Sequence, residues 1–118
     1  MLNKTLKSRN IVSLKRKLRI RNKIFGTSTK PRVTIFRSNK YFYAQAIDDV
    51  NGRTLANIDG KKLGLICNKS NMSVLASEFS KKLKSIDISS IVFDRNGYLY
   101  HGVVASFADS LRDNGIRF

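Results

Sequence analysis

Several residue types are scarce in this chain, and each scarcity excludes something. There is one cysteine, Cys67, so no internal disulfide can form; a lone thiol fits a reducing compartment and packs as a small apolar group. One histidine, His101, together with one cysteine is too few for a His/Cys metal site, and the expected cofactor content is none. No apolar run approaches the roughly 18 residues that a membrane-spanning helix needs. The N-terminus lacks the apolar central region of a secretory signal. No phosphate-binding G-x-x-x-x-G-K-[ST] loop, G-x-S-x-G elbow or H-E-x-x-H helix occurs. The scarcest class is acid: eight carboxylates stand against 23 Lys and Arg, and the first of them is Asp48.

Thirteen bases precede Asp48, and the rest of the chain is nearly balanced. Such one-sided charge repels itself in the free protein and is best accounted for by a polyanionic partner, nucleic acid ahead of an anionic membrane. Acid-free, Arg-rich stretches also occur in organellar transit peptides, which is the competing reading of the N-terminus. With 118 residues and 42% apolar composition, the chain reads as one globular domain with an extension. Apolar residues are sparse before Ile24 and dense after Pro31, which divides the chain into a basic arm over 1–29 and a globular part over 30–118.

Periodicity predicts the elements. Residues 3–25 read as a basic helix with Gly26 placed to end it, and like charges at i,i+4 make it dependent on phosphate for full order. Arg32–Arg37 is a strand with Val33 and Ile35 on one face and Arg32, Thr34 and Phe36 on the other. Ser38–Lys40 turn into a second strand over Tyr41–Ile47, with Phe42, Ala44 and Ala46 the better core set. Asn51–Gly52 is a tight-hairpin signal, followed by a third strand over Arg53–Ile58. Gly60–Gly64 suggests a loop. A helix capped by Asn71 or Ser73 runs to about Ser85, with Met72, Ala76, Phe79 and Leu83 inward and lysines in its last turns. Ile88–Phe93 is a buried strand broken by Asp94–Gly97, and Val103–Asp113 is the last helix, stopped by Gly115. A late strand between helices is expected to pair parallel with an earlier one, giving an α/β fold with a mixed sheet of three antiparallel strands plus one parallel strand.

Three groups are candidates for chemistry. The arm bases Lys7, Arg9, Lys15, Arg16, Lys17, Arg19, Arg21 and Lys23, with Lys30, suit phosphate contacts. Arg32, Arg37 and Lys40 beside Tyr41 and Tyr43 form a basic–aromatic hairpin patch, in which the tyrosines either stack on bases or belong to the core. The string Val92–Gly102 joins a strand end, a turn, two tyrosines and the histidine. Asp94 and His101 there could be an acid–base pair, but no nucleophile or metal cluster accompanies them. Structure plus recognition is the favoured reading, with Asp94 and Asn96 serving the turn, and Arg95, Tyr98, Tyr100 and His101 facing a partner.

These strings carry a resemblance. Lys30–Gln45 followed by Phe93–Gly102, together with the ending Ala108–Phe118, resembles the bacterial-type large-subunit ribosomal protein eighteen family over essentially the whole chain. The resemblance implies a non-enzymatic constituent of the large ribosomal subunit that binds 5S rRNA and helps attach it to the large rRNA in the central protuberance. It implies a ribonuclease H-like topology, and as partners 5S rRNA, large-subunit rRNA and a neighbouring 5S-binding large-subunit protein, with no membrane and no small-molecule substrate. The location it implies is a cytoplasmic ribosome, an organellar one remaining open. Ser38, Asn39 and Gln45 join the RNA-facing set on the same basis. Val103 stands where the family commonly has a base, and Lys61–Lys69 matches poorly. The rival functions are a ribonuclease H-like nuclease, which needs clustered carboxylates on two metals, and a general basic binder of DNA or membrane.

Overall fold

Alternating apolar and polar side chains build the sheet from which everything else is hung. The computed structural model describes residues 24–118, so the basic helix expected over 3–25 lies outside the described residues except for Ile24 and Phe25, which are not helical. Strand β1 is Arg32–Arg37, β2 Phe42–Asp48 and β3 Arg53–Asp59. Helix α1 is Lys69–Ser85, β4 Val92–Asp94 and α2 Val103–Asp113. The sheet order is β3-β2-β1-β4, with β1–β2 and β2–β3 antiparallel and β1–β4 parallel. The α/β class and the mixed sheet are therefore as the sequence predicts.

Val33, Ile35, Phe42, Ala44, Ala46 and Ile58 point to one face and are fully buried there. Their partners are Met72, Leu75, Ala76, Phe79 and Leu83 of α1 and Val104, Phe107 and Leu111 of α2. Phe107 is central: its ring centroid lies 4.8 Å from that of Phe42 and 6.2 Å from that of Phe79. Both helices thus cover the same side of the sheet, and the other side carries no helix among the described residues.

Strands β2 and β3 differ from expectation by one residue at their ends, and three further features differ for a physical reason. The β2–β3 reversal is not a two-residue Asn–Gly turn: Asp48 pairs with Arg53, leaving residues 49–52 as the loop, and only Gly52 has a positive φ, at 65°. The loop is organised by the buried Asp48 carboxylate, which accepts the Val50 N–H at 3.0 Å and the Asn51 side-chain amide at 2.8 Å. Helix α1 starts earlier than expected because Asn68 caps it, its side-chain oxygen accepting the Asn71 N–H at 2.8 Å. Strand β4 is shorter than Ile88–Phe93 and includes Asp94, because the residues before it turn to the C-terminal segment instead. Ile91 donates to the Arg117 carbonyl and Arg117 to that of Ser89.

The end of α2 is as expected. Gly115, at φ 89°, donates to Arg112 and Ile116 to Leu111, so a left-handed residue closes the helix and folds the buried Ile116 back onto Leu111.

The Asn51 amide, helped by the backbone N–H groups of Val50 and Asn51 and opposed by burial, holds the Asp48 carboxyl below the ordinary carboxylate range. A carboxyl whose folded pKa lies below its unfolded value stabilises the fold above the unfolded pKa, and that stabilisation is lost as pH falls through the folded one. Asp48→Asn is therefore expected to lower the urea midpoint at neutral pH and to flatten its decline on acidification, measured between about pH 7 and about pH 3.

Candidate nucleic-acid interface

The helix-free face of the sheet presents Thr34 and Phe36 from β1, Tyr43 and Gln45 from β2, and Asn57 and Asp59 from β3. With Lys62 and Asn96 at the rim, these line an open depression of about 520 Å³. Phe36 is 55% exposed. It pairs across the strands with Tyr43, their rings 5.9 Å apart and tilted by 38°. Strand alternation puts them there: once Val33, Ile35, Phe42 and Ala44 face the helices, Phe36 and Tyr43 must face outward. Tyr43 accordingly lies outside the core. An aromatic floor ringed by amides and a lysine can stack on bases or sugars and donate to phosphate.

The β1–β2 turn and the loop after β4 come together at one edge of this face. Asn96 donates its side-chain N–H to the Ile35 carbonyl at 3.0 Å. The Tyr98 hydroxyl accepts the Arg37 N–H at 3.2 Å and donates to the Arg37 carbonyl at 3.3 Å. Asp94 accepts the Asn96 N–H, and Asn96 and Gly97 both adopt positive φ, so the turn role expected of this string is what the structure shows. The result places Tyr98 beside Arg37 at the start of the Ser38–Lys40 turn, although 61 residues separate them in sequence, and Arg95 belongs to the same loop. Arg37, Asn39, Lys40 and Gln45 are exposed, while Ser38 and Tyr41 are half-buried and bonded to each other. Lys30 and His101 are exposed as well. Tyr100, 44% exposed, accepts from Arg112, whose guanidinium lies 4.2 Å from the centre of the Phe118 ring.

Arg32 is a correction. The sequence suggests a phosphate contact, but the side chain is only 11% exposed and is held by two carboxylates. Nε and Nη2 donate to the two oxygens of Asp49 at 3.0 and 3.1 Å, and Nη1 donates to Asp94 at 2.7 Å. Burial opposes its charge, but the hydrogen bonds to Asp49 and Asp94 outweigh that and raise its pKa further. All three nitrogens donate to carboxylates and the side chain is mostly buried, so the fork is committed to the fold rather than to a phosphate. Gly26, expected to end the arm helix, has a role that the described residues do show. It does not adopt a left-handed conformation; it is needed because a Cβ there would lie 2.2 Å from the Arg32 nitrogen and 2.5 Å from the Ile47 oxygen.

The carboxylates that a nuclease would use are thus committed to the fold. Asp48 and Asp59 organise loops, and Asp49 and Asp94 share Arg32. Asp94 bonds to Arg32 and Asn96, so its pairing with His101 does not form. Among the described residues no group of three or more His, Cys, Asp or Glu could hold a metal ion. Cys67 packs against the core; burial pushes its thiol pKa up, partly offset by the charge of Arg37.

Lys7, Arg9, Lys15, Arg16, Lys17, Arg19, Arg21 and Lys23 lie outside the described residues. Sequence reasoning missed Thr34, Asn57 and Lys62 as parts of the open face, and it left Phe36 without a role. Alternation already put Thr34 and Phe36 on the face opposite Val33 and Ile35, and that signal could have found them. Asn57 and Lys62 depend on which strand neighbours which.

Losing the Arg32 guanidinium would leave Asp94, 3% exposed, and Asp49, 10% exposed, without their cation. Arg32→Met is expected to destabilise the fold by about 3–5 kcal/mol in urea denaturation. Arg37→Met, on the surface, should stay within about 0.5 kcal/mol.

Comparison with known proteins shows the family. The family described as "Ribosomal L18 of archaea, bacteria, mitoch. and chloroplast" matches residues 7–118, including the loop that the resemblance left unsupported. The large ribosomal subunit protein uL18 of Wolinella succinogenes is 63% identical over 98% of each chain. Those of Helicobacter hepaticus and Campylobacter concisus are 62% and 56% identical, over 99% of each chain. No helix among the described residues is long and apolar enough to cross a membrane. With a family match over nearly its full length and relatives above half identity, the chain belongs to the ribosomal L18 family.

Proposed function

We propose that this protein binds 5S rRNA and helps attach it to the large-subunit rRNA in the central protuberance, beside a neighbouring 5S-binding protein. As a member of its family it is a structural constituent of the large ribosomal subunit, not an enzyme, and its partner is ribosomal RNA. The choice of 5S rRNA follows from the resemblance in the Lys30–Gln45 and Phe93–Gly102 strings.

The observation that carries the reading is an acid-free cationic segment joined in sequence to a domain with an open aromatic sheet face. An acid-free segment of nine bases precedes Ile24. It leads into a domain whose open sheet face presents Phe36 and Tyr43 and is rimmed by Lys62 and Asn96, with the turn that carries Lys40 and the loop that carries Arg95 meeting at one edge. The division of labour is then between an arm over 1–29, which supplies phosphate contacts, and the domain over 30–118, which supplies position. The arm gives most of the affinity with little discrimination, because phosphates are the same everywhere along RNA. The sheet face and the Arg95–His101 loop fit RNA shape, unstacked bases and sugar hydroxyls. Arg32 belongs to this account only as a support for the loop.

Binding measured by fluorescence anisotropy should weaken steeply with salt. Replacing Lys15, Arg16 and Lys17 together by Gln is expected to reduce the slope of log K against log salt by about 0.7–0.9 for each phosphate that is no longer neutralised. A Phe36→Ala, Tyr43→Ala pair should weaken binding with the slope unchanged, since stacking releases no counterions. Equal affinity for 5S rRNA and unrelated duplex DNA at matched salt would refute the 5S assignment in favour of a general basic binder.

A further inference from the structure

Arg32 joins three segments that approach it from different directions. Asp49, in the β2–β3 loop, takes the fork of the guanidinium; the same Asp49 oxygen, Oδ2, also accepts the Gly26 N–H at 2.8 Å. The Gly26 carbonyl in turn accepts the Asp49 N–H at 3.0 Å. The third nitrogen of the guanidinium holds Asp94, whose other oxygen accepts the Asn96 N–H at the start of the loop that carries Arg95 and Tyr98. A continuous path of charge-assisted hydrogen bonds therefore runs from Gly26, the root of the basic arm, to the Arg95–Tyr98 loop.

Burying a guanidinium with two carboxylates is a poor route to stability, because desolvation offsets most of the attraction. What the arrangement does supply is direction. The fork is planar and fits Asp49 in one orientation, and the remaining nitrogen then fixes where Asp94 must stand. Gly26 is seated with no room for a methyl group, so the chain leaves the domain at one place.

We propose that Arg32 is a positioning residue for RNA binding, setting the root of the arm and the Arg95–Tyr98 loop at one mutual orientation so that both engage a single RNA together. The proposal rests on the RNA-binding reading above and adds a coupling between its two surfaces. Two contacts on one rigid frame assist each other through effective concentration, and this assistance disappears when the geometry between them is released.

The test uses the full chain and 5S rRNA, with affinity read by anisotropy over a salt series. Two variants release the joint differently. Gly26→Ala displaces the root of the arm without altering any charge or any core residue. Arg32→Lys keeps one positive charge but cannot span both carboxylates. Each is expected to lose about tenfold in affinity, with a shallower salt slope, at a temperature where near-ultraviolet dichroism shows a native domain. The deciding readout is a cycle with the Lys15→Gln, Arg16→Gln, Lys17→Gln background: there Gly26→Ala should cost clearly less than in the wild-type chain, since the arm it orients has lost three of its nine bases. A folding defect would cost the same in both backgrounds. If the wild-type chain binds 5S rRNA and folded Gly26→Ala binds equally well, the positioning role is overturned. If the wild-type chain itself does not bind, it is the 5S reading that fails. Should Arg32→Lys fail to fold, the Gly26→Ala cycle decides alone.

Discussion

The guanidinium of Arg32 sits at the start of β1, between a loop carboxylate on one side and a strand-end carboxylate on the other. The two acids come from residues 17 and 62 positions further along the chain. Their pairing pins the β2–β3 reversal and the β4 turn to the same strand. Around that anchor the hydrophobic core does the larger part of the folding work, through non-directional burial of Phe42, Phe79, Phe107 and their neighbours. Burial alone does not say where a loop points. The charged cluster adds that information at the sheet edge that leads to the candidate RNA surface.

The sheet's asymmetry has a simple origin. Both helices have one apolar stripe, and both stripes are satisfied by the same face, so the opposite face is left to side chains that tolerate water: Thr34, Gln45, Asn57 and the partly exposed rings of Phe36 and Tyr43. A face with exposed aromatics and amides, in a chain whose first 47 residues carry bases and no acid, suits an anionic polymer with flat bases better than it suits solvent. The same economy explains why the carboxylates of the sheet and its loops form no enzyme-like cluster. They hold backbone amides and Arg32, so they are already engaged in building loops.

Local patterns were legible where local physics decides. The bounds of β1 and α2, the inward stripe of α1 and the left-handed stop at Gly115 follow from alternation, helical spacing and glycine's tolerance of positive φ. Legibility failed where a distant partner intervened. The Ile88–Phe93 run reads as one strand, yet the C-terminal segment captures its first half through Arg117. Asn51–Gly52 has the composition of a tight turn, yet the buried Asp48 carboxylate draws the reversal out to four residues. Asn68 was hidden in a stretch with no periodicity, although its side chain caps α1.

The sequence by itself determined the kind of partner and the class of fold. Charge of one sign over the first 47 residues needs no coordinates to imply a polyanion, and period-two and period-3.6 patterns imply strands and helices wherever they occur. Only the tertiary structure decided which bases are free to meet that partner. Arg32 and Arg37 begin and end the same strand with the same charge, and no local pattern separates them. One is enclosed by two carboxylates brought from afar; the other lies in the open beside Tyr98. Whether a cation is a tool for binding or a part of the frame depends on its neighbours in space, and those are set by strand order and loop closure.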